Sequence, residues 1–345
     1  MESSDLLLIE GKPGSGKSTL MKYFQRSCLD REPSQRQIVA GFYYSYREGE
    51  KQTNHSNMLR SVLYDILNQS EEFFFHFQPY YRELTRGGGH PEWSYTSLKE
   101  ILRSLTKYHP VSERIYLIID AIDETSDAAE RIDVIKFLHE LCSAEGHCLM
   151  KVFVASRPVA GLSGYSLGNH KMIRLQDVNH SDILKFTASF LDGLSLEIPP
   201  SNTYWAIKIA ENAQGVFVWV RLIREELLRC AREGCSSDDV IAFLESLPTE
   251  LEEIYKNALA RLERGTTRNI ATGHKMFQFV LLAYRPLGVG ELGQALAMQG
   301  NLEFPCSDEW LQRGLIRDIS KRIISCAGNL LEIKTQDDYG SYFLR

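Results

Sequence analysis

The first half of the chain alternates short apolar runs rich in β-branched residues with longer amphipathic segments. This pattern is typical of a parallel sheet covered by helices. The apolar runs predict strands at 5–10, 38–46, 114–120, 151–156 and 172–175. Apolar residues at helical spacing predict helices at 57–69 and 97–108. We therefore predict an α/β domain over residues 1–178.

After about residue 179 the strand-like runs stop, and amphipathic helical segments follow one another. We expect a helical domain over 179–265. Its clearest apolar stripe has helical spacing and predicts a core-facing surface, made of Leu251, Ile254, Tyr255, Ala258, Leu259 and Leu262. Over 266–345, a helix, the Arg285-Pro286-Leu287 turn, two more helices and a strand near 329–333 predict a winged-helix-like domain.

Both ends of the sequence look cut. The first strand begins almost at Met1, and the chain stops at Arg345 without a polar tail. We therefore expect either a fragment or a truncated gene model, with the winged-helix-like domain truncated.

The composition is that of an ordinary folded protein, with 43% hydrophobic and 24% charged residues among 345. Lys and Arg number 39 against 45 Asp and Glu, which gives a net charge of −6. A chain with this charge has no general attraction to anionic lipid or to nucleic acid. We expect no membrane partner, and the charge disfavours nucleic acid.

The sequence shows no targeting or membrane-spanning segment. Its longest apolar runs, such as 276–284, are far shorter than the roughly 20 residues of a transmembrane helix. The N-terminus lacks the basic region and the apolar length of a secretory signal. The seven cysteines are an odd number without a Cys-x-x-Cys pair, which indicates reduced thiols. We expect a cytoplasmic protein.

The strongest motif fits the Gly-x4-Gly-Lys-Ser/Thr phosphate loop. It consists of Gly11, Lys12, Pro13, Gly14, Ser15, Gly16, Lys17, Ser18 and Thr19. Its glycines allow backbone amides to surround a phosphate, and the start of the helix that follows adds a positive dipole end. We expect Lys17 to reach the β- and γ-phosphates, Ser18 to bind Mg²⁺ and Thr19 to contact the α-phosphate.

A second element supports a nucleotide site, because the apolar run 115–119 ends in Asp120. A buried parallel strand would deliver this carboxylate to Mg²⁺ at the carboxyl edge of the sheet. Asp123 and Glu124 follow, and one of them would orient or deprotonate a water that attacks the γ-phosphate. Alternatively, both residues only cap the helix expected near Ser126.

Arg157 follows the predicted strand at 151–156. If that strand lies between the loop strand and the Asp120 strand, as in the additional-strand class of P-loop proteins, Arg157 arrives beside the γ-phosphate. It would then sense or stabilise the transferred phosphoryl group; alternatively, it is a surface arginine. The nearest sequence to the Asn-Lys-x-Asp guanine motif is Asn179-His180-Ser181-Asp182, which lacks the lysine. A Ras-like GTPase is disfavoured, and both ATP and GTP stay open as the cofactor.

Three segments together resemble the NACHT NTPase domain of fungal NOD-like receptors. They are LLIEGKPGSGKSTLMK at 7–22, IIDAIDE at 118–124 and ASRP at 155–158. Further along, QGVFVWV at 214–220 resembles the helical-domain segment of that family, and RPL at 285–287 resembles its winged-helix region. The resemblance extends over nearly the whole chain.

This resemblance implies a signal-transduction NTPase of the STAND class, a group that includes proteins of heterokaryon incompatibility and programmed cell death. In these proteins the nucleotide state switches a closed monomer into an open oligomer. The implied cofactors are ATP or GTP with Mg²⁺. The implied partners are nucleotide, further copies of the chain, and the effector or repeat domains of a full-length parent protein, neither of which is visible in this sequence.

Our main hypothesis is an Mg²⁺-dependent triphosphate switch with slow hydrolysis. Three alternatives stay open: a small-molecule or nucleoside kinase, a nucleic-acid remodelling or loading ATPase, and a scaffold that binds nucleotide without hydrolysing it. The helical half offers no obvious acceptor site for a kinase, and the last segment has no dense basic stripe for DNA. The sequence does not decide against the scaffold.

Overall fold

The computed structural model describes residues 5–29, 37–46, 50–86, 93–107, 114–125, 128–143, 149–158, 171–194, 198–298, 316, 318–331, 333–335 and 342–344. The chain forms two compact units. The first contains Met1–Ile183 together with Gln214–Phe217, and the second contains Leu184–Ala213 together with Val218–Arg345.

The first unit is built on a parallel sheet of five strands with helices on both faces. The strands are β1 (Asp5–Glu10), β2 (Gln37–Tyr43), β3 (Arg114–Asp120), β4 (Leu149–Ser156) and β5 (Lys171–Arg174). The helices are α1 (Lys17–Leu29), α2 (His55–Gln69), α3 (Glu71–Leu84), α4 (Tyr95–Thr106), α5 (Ala128–Ser143) and the short α6 (Leu175–Val178). Short 3-10 turns lie at Glu50–Gln52 and Ile122–Glu124.

The strands lie in the spatial order β2, β3, β4, β1, β5. Phe153 of β4 pairs with Leu7 of β1 on one side and with Ile118 of β3 on the other. The central strands read as continuous apolar runs because both of their faces are covered. The predicted insertion of the fourth strand between the loop strand and the Asp120 strand is confirmed, and the sheet has the additional-strand order.

Alternate residues of β1 anchor the two helix layers. Leu6 and Leu8 belong to the core that the sheet forms with α2, α4 and α5. Ile9 points to the opposite face and packs with Met21 of α1 and Leu175 of α6. Successive side chains of a strand point to opposite faces, so the apolar run fixes the strand from both sides. The phosphate loop that follows β1 is thereby attached to a strand buried on both faces.

The two largest differences from the prediction in the first unit concern β2 and α3, and the other predicted elements shift by at most two residues. The second strand was predicted to reach residue 46, but β2 ends at Tyr43. Tyr43 pairs with Asp120, the last residue of β3, and Tyr44 N–H donates to the Asp120 carbonyl, so β3 offers no further residue for β2 to pair with. Helix α3 was not predicted. It contains Pro79, a residue that ordinarily interrupts helices, and it starts at an N-cap formed by the Ser70 hydroxyl. The predicted loop at 87–91 lies outside the described residues.

The second unit is mainly helical, as predicted for the segment after residue 179. Its helices are α7 (His180–Gly193), α8 (Asn202–Asn212), α9 (Phe217–Glu233), α10 (Ser237–Glu245), α11 (Leu251–Leu262), α12 (Thr267–Leu282), α13 (Val289–Ala297) and α14 (Ile319–Ala327). The first residues of α7, and Phe217 of α9, belong to the first unit. Across the part of the chain that is described, no helix is long and apolar enough to cross a bilayer.

The end of the second unit combines three helices with a pair of short strands. Met276, Leu292 and Ile323 form the centre of a core between α12, α13 and α14. Two short strands follow, β6 (Ile333–Thr335) and β7 (Tyr342–Leu344), which pair antiparallel. This order of helices followed by a strand is the one predicted over 266–345, and the assignment to a winged-helix-like domain stays a prediction.

Helix α11 shows where periodicity predicted too much burial. Ile254 is buried, whereas Tyr255 and Leu259 of the same apolar stripe are exposed. An apolar stripe reports that a helix is amphipathic, but how much of it is covered depends on how many neighbouring elements reach it. The prediction of a fully core-facing stripe was wrong for these two residues.

Candidate phosphate-binding site

The phosphate loop connects the end of β1 to the start of α1. Gly11 N–H donates to the Ser156 carbonyl at 3.2 Å, which holds the first residue of the loop against β4. Ser15 N–H donates to the Lys12 carbonyl at 3.1 Å, which closes a turn in the middle of the loop. The first amides of α1 have no partner within the helix, so they and the dipole of the helix favour an anion at this end.

Three glycines are needed for this path of the chain. Gly14 and Gly16 have φ of 77° and 97°, a backbone conformation that residues with a side chain rarely adopt. A Cβ at Gly11 would lie 2.4 Å from the Ser15 hydroxyl oxygen, closer than real contacts allow. The motif spacing therefore corresponds to a tightly turned loop and not to an accidental glycine-rich segment.

Lys17 is the first residue of α1, and its ammonium group lies against the loop. Nζ donates to the Gly11 carbonyl at 2.7 Å and to the Lys12 carbonyl at 3.1 Å. Burial lowers the pKa of Lys17, while Asp123 and Asp120 oppose this by raising it. A desolvated cation at the mouth of a loop of amides is suited to bind a phosphate oxygen.

Asp120 occupies the end of β3 and is only 3% exposed. Burial raises the pKa of this carboxyl. The Ser18 hydroxyl donates a hydrogen bond to the carboxylate, and this bond and the charge of Lys17 partly lower the pKa. Its Oδ1 is buried and has no hydrogen-bond partner among the described residues. Ser18 and Asp120 together offer only oxygen atoms, the ligands that Mg²⁺ prefers, so the residues fit the ion that the sequence implied.

A strained turn carries the next two carboxylates. Ala121 adopts the left-handed conformation, with φ of 56°, which is uncommon for a residue other than glycine. The 3-10 turn Ile122–Glu124 follows, closed by Glu124 N–H, which donates to the Ala121 carbonyl at 2.8 Å. Such strain persists only where the surrounding structure holds it, and it turns Asp123 and Glu124 back toward the end of β4.

Arg157 joins these carboxylates. Its backbone N–H donates to Asp123 Oδ1 at 3.0 Å, and its Nε lies 3.2 Å from Asp123 Oδ2. Its Nη2 lies 3.4 Å from Glu124 Oε1. Glu124 Oε2 accepts a hydrogen bond from Tyr46 N–H at 3.1 Å. The guanidinium is half exposed, so this ion-paired cluster remains open to solvent.

The predicted residues thus gather at one edge of the sheet. Asp120, Asp123, Glu124 and Arg157 all act on the charge of Lys17, which places the four groups within electrostatic reach of the loop. The remaining loop positions differ in burial: Gly11 and Ser15 are buried, Gly14 and Gly16 are half-buried, and Lys12, Pro13, Ser18 and Thr19 are exposed. Exposed polar groups at the start of a helix can contact a ligand without leaving the helix.

Sequence reasoning missed two groups that hold the loop. Asn179 appeared only as the start of a failed guanine motif, yet its side-chain amide contacts the loop carbonyl of Ser15. Gln214 also reaches the loop, with its Oε1 3.5 Å from Lys12 Nζ. Both contacts join residues more than 160 positions apart, and such pairs leave no local pattern in a single sequence.

The sheet order and the site together define a class of protein. A phosphate loop between β1 and α1, an acidic residue at the end of β3, and β4 inserted between those strands constitute the additional-strand form of the P-loop NTPase fold. This α/β domain is followed by a helical region.

Comparison with known families gives a partial match. Residues 1–157 match the family model described as Nephrocystin 3, N-terminal. The matched region begins before the phosphate loop and ends at Arg157, so it includes all the site residues named from the sequence. It covers less than half of the chain. A search of curated proteins gives no match.

Solved structures with a similar outline are distant in sequence. They include Drosophila ORC bound to DNA, at 13% identity and a TM-score of 0.38, covering 99% of this chain and 86% of that one. A Walker-type ATPase of Pyrococcus abyssi is 11% identical, with a TM-score of 0.39, and the match covers 98% of this chain and 88% of that one. Cdc6p from Pyrobaculum aerophilum is 10% identical, with a TM-score of 0.38, and the match covers 98% of this chain and 82% of that one. Likeness at this level carries no argument about function.

Proposed function

We propose that the protein is an Mg²⁺-dependent nucleoside triphosphatase that works as a signalling switch of the NACHT or STAND type. In this proposal nucleotide state controls oligomerisation in fungal signalling related to innate immunity or incompatibility. One observation carries it. Lys17, Ser18 and Asp120 lie together beside the loop: Ser18 is hydrogen-bonded to Asp120, and Lys17 is close enough for its charge to lower the pKa of Asp120.

The loop supplies a site for the phosphates. Amides at the start of α1 and the Lys17 ammonium are all donors, and a polyphosphate offers only acceptors. Hydrogen bonds between charged partners are about twice as strong as neutral ones, so a triphosphate is preferred to an uncharged ligand of similar shape. Ser18 and Asp120 would hold Mg²⁺, which neutralises charge on the phosphate oxygens when bound.

Of the two candidate bases, Glu124 is the better placed to act on water. Both oxygens of Asp123 are engaged by Arg157, and the Asp123 side chain is 10% exposed. Both oxygens of Glu124 also have partners, but its side chain is 29% exposed and its contact to Arg157 is longer, at 3.4 Å, while Tyr46 N–H is a neutral donor. We assign Glu124 to orient or deprotonate the attacking water and Asp123 to fix the position of Arg157.

Arg157 gives the site a group that would respond to the γ-phosphate. A ligand shifts a two-state equilibrium only by its different affinity for the two states, so triphosphate must make a contact that diphosphate lacks. The Arg157 guanidinium is half exposed, and its ion pairs with the described residues are made through Nε and Nη2. The remaining N–H donors of Arg157 would bind the terminal phosphate. This contact would weaken the ion pair between Arg157 and Glu124 or change its geometry.

The proposal is tested by measuring phosphate release from ATP and GTP by the wild-type chain, with Mg²⁺ and with excess chelator. We expect slow release that requires Mg²⁺ and is lost in Lys17→Ala. Lys22→Ala is the matched control, because Lys22 lies on the same helix but points to the Tyr43 ring. We expect this variant to keep the wild-type rate.

Other outcomes of this assay point to other functions. Transfer of the phosphoryl group to an added nucleoside or sugar, in place of free phosphate, would identify a kinase. Nucleotide binding without release under any condition would identify a scaffold. Release that survives Lys17→Ala unchanged would contradict the proposed site.

A further inference from the structure

A single buried amide joins the phosphate loop to a distant segment of the chain. Asn179 Nδ2 donates to the Ser15 carbonyl at 3.1 Å and to the Gly215 carbonyl at 2.9 Å. The residue is 3% exposed. A side-chain amide carries two N–H donors, and two carbonyl acceptors fix which end of the amide is nitrogen. Both donors of Asn179 are therefore used to bridge the loop and Gly215.

The side chain of Asn179 is diverted from the role its position favours. Asn at the start of a helix usually accepts hydrogen bonds from the first helical amides through its side chain. Here the atom that would accept those bonds, Asn179 Oδ1, is buried and has no hydrogen-bond partner among the described residues. The backbone carbonyl accepts the first amides of α7, from Asp182 at 3.1 Å and Ile183 at 3.0 Å. The hydrogen bonds of the side chain are those that its nitrogen donates to Ser15 and Gly215.

Holding the Ser15 carbonyl also sets the direction of a loop amide. A peptide unit is planar and trans, so the C=O of Ser15 and the N–H of Gly16 point in opposite directions from the same plane. Because Asn179 holds the Ser15 carbonyl, the N–H of Gly16 points away from Asn179. In the proposed site this amide is one of the backbone donors that surround a phosphate.

Residues 214–217, here called the relay segment, contact the loop at two further points. Gln214 Oε1 lies 3.5 Å from Lys12 Nζ. The Phe217 ring lies 3.4 Å from the position that a Cβ on Gly16 would occupy. Gly215 has φ of 81°, and a Cβ there would meet Gln176 at 2.5 Å, so the segment is closely packed where Asn179 reaches it.

We infer that Asn179 is a positioning residue that orients the phosphate loop and transmits its occupancy to the relay segment, and through Phe217 to the start of α9. The inference rests on the proposed function and adds to it a route by which nucleotide state leaves the site. A phosphate bound by the Gly16 amide fixes the Ser15 peptide, which strengthens the Asn179 bridge and orders Gly215. Helix α9 begins at Phe217 and continues in the second unit.

Hydrogen exchange measured by mass spectrometry tests this route. The first amides of α9 have no partner within the helix, so their exchange reports the order of the relay segment. We compare peptides covering residues 11–20 and 214–223 with no nucleotide, with Mg-ADP and with Mg-ATP. In the wild type, nucleotide should slow exchange in both peptides.

Two variants and one control separate coupling from stability. Asn179→Ala removes the bridge, and Asn179→Asp keeps its size but removes both donors. In either variant we expect nucleotide at saturating concentration to slow exchange at 11–20 but not at 214–223, with affinity weakened about tenfold. Asn202→Ala is the control, because Asn202 also starts a helix and its amide donates to the Leu191 carbonyl, away from the loop. It should behave as the wild type.

Each outcome has a definite meaning. If nucleotide protects 11–20 in the wild type while 214–223 is unchanged, the inference is overturned even if no variant folds, and the proposed function stands. Equal protection of 214–223 in the wild type and both variants also overturns it. If nucleotide protects neither peptide in the wild type, the proposed function fails and the inference fails with it.

Discussion

Asp120 is a carboxylate whose burial costs free energy that its neighbours only partly offset. Its pKa is raised by burial despite the hydrogen bond from Ser18 and the charge of Lys17, and one of its oxygens has no partner among the described residues. Burying a charge without full pairing is unfavourable. The residue at the end of β3 is therefore suited to bind a cation and not to stabilise the fold.

Asp120→Asn should accordingly separate stability from binding. A carboxyl whose pKa is higher in the folded than in the unfolded state destabilises the fold once ionised, so at neutral pH the neutral amide should raise the free energy of unfolding by about 1 kcal/mol. The same change should weaken Mg-nucleotide binding at least about tenfold, since it removes a charged ligand. Urea denaturation and titration calorimetry measure the two effects.

Asp65→Asn provides the matched control for this change. Asp65 is also a carboxyl whose pKa is raised by burial, but it accepts a hydrogen bond from Gly41 N–H, away from the loop. We expect nucleotide binding to be unchanged in this variant. Equal weakening in both variants would remove Asp120 from the site.

Glu124→Gln should keep nucleotide affinity and slow hydrolysis. The amide retains the size of the side chain and an oxygen that can accept from Tyr46 N–H, but it is a poor proton acceptor. We expect turnover to fall by about a hundredfold or more, in the range usual for loss of a general base. Single-turnover phosphate release, with Glu140→Gln as an exposed control on α5, measures this. An unchanged rate would return the assignment to Asp123.

The chemistry-bearing residues were predictable only as far as local sequence patterns reach. The spacing from Gly11 to Ser18, and an apolar strand ending in Asp120, identify the loop and the acidic residue because each motif is contiguous. The pairing of Arg157 with Asp123 depends on the strand order, which a periodic pattern does not specify. The Asn179 bridge depends on two backbone carbonyls, and any residue type can supply a carbonyl.

At the scale of elements, the strands that position the site were the easiest to predict. β1 and β3 have the predicted bounds because they are buried on both faces and end at turns. Helix α3 was missed because Pro79 and a cluster of aromatic residues obscure its periodicity, while Phe73 and Phe77 still form one buried face at i and i+4. Packing, which the sequence does not display, overrides the local preference there.

Gly16→Ala tests whether the conformation of the loop is needed for binding. Gly16 has φ of 97°, so a side chain strains the backbone by about 1–3 kcal/mol. Gly234→Ala is the matched control: its φ is 70°, and a Cβ there meets nothing within 4 Å. We expect both variants to unfold at lower urea concentration, and Gly16→Ala alone to lose nucleotide affinity. Equal affinities in the two variants would contradict the loop assignment.

At the scale of the whole molecule, the proposed switch requires that nucleotide state change the equilibrium between monomer and assembly. Moving such an equilibrium from 1:99 to 99:1 takes about a 10⁴-fold difference in affinity for the two states. A single phosphate contact by Arg157 does not supply this alone. The bridge through Asn179 to α9 would add the contacts that couple the site to the rest of the chain.

The assembly state of Glu124→Gln provides the corresponding prediction. With hydrolysis slowed, Mg-ATP should hold this variant in the triphosphate state and increase its mass by light scattering relative to Mg-ADP. The double variant Lys17→Ala, Glu124→Gln should show the same mass with either nucleotide. Identical masses for Glu124→Gln in both nucleotides would show that this chain does not assemble in response to the γ-phosphate.

The central claim, that a triphosphate binds in the loop before Lys17, is tested most directly by calorimetric titration of wild type, Lys17→Ala and Lys22→Ala with Mg-ATP and Mg-GTP. The account predicts binding by the wild type and by Lys22→Ala, and a loss of at least about a hundredfold in affinity, or about 2.7 kcal/mol, for Lys17→Ala. Unchanged affinity in Lys17→Ala would contradict it.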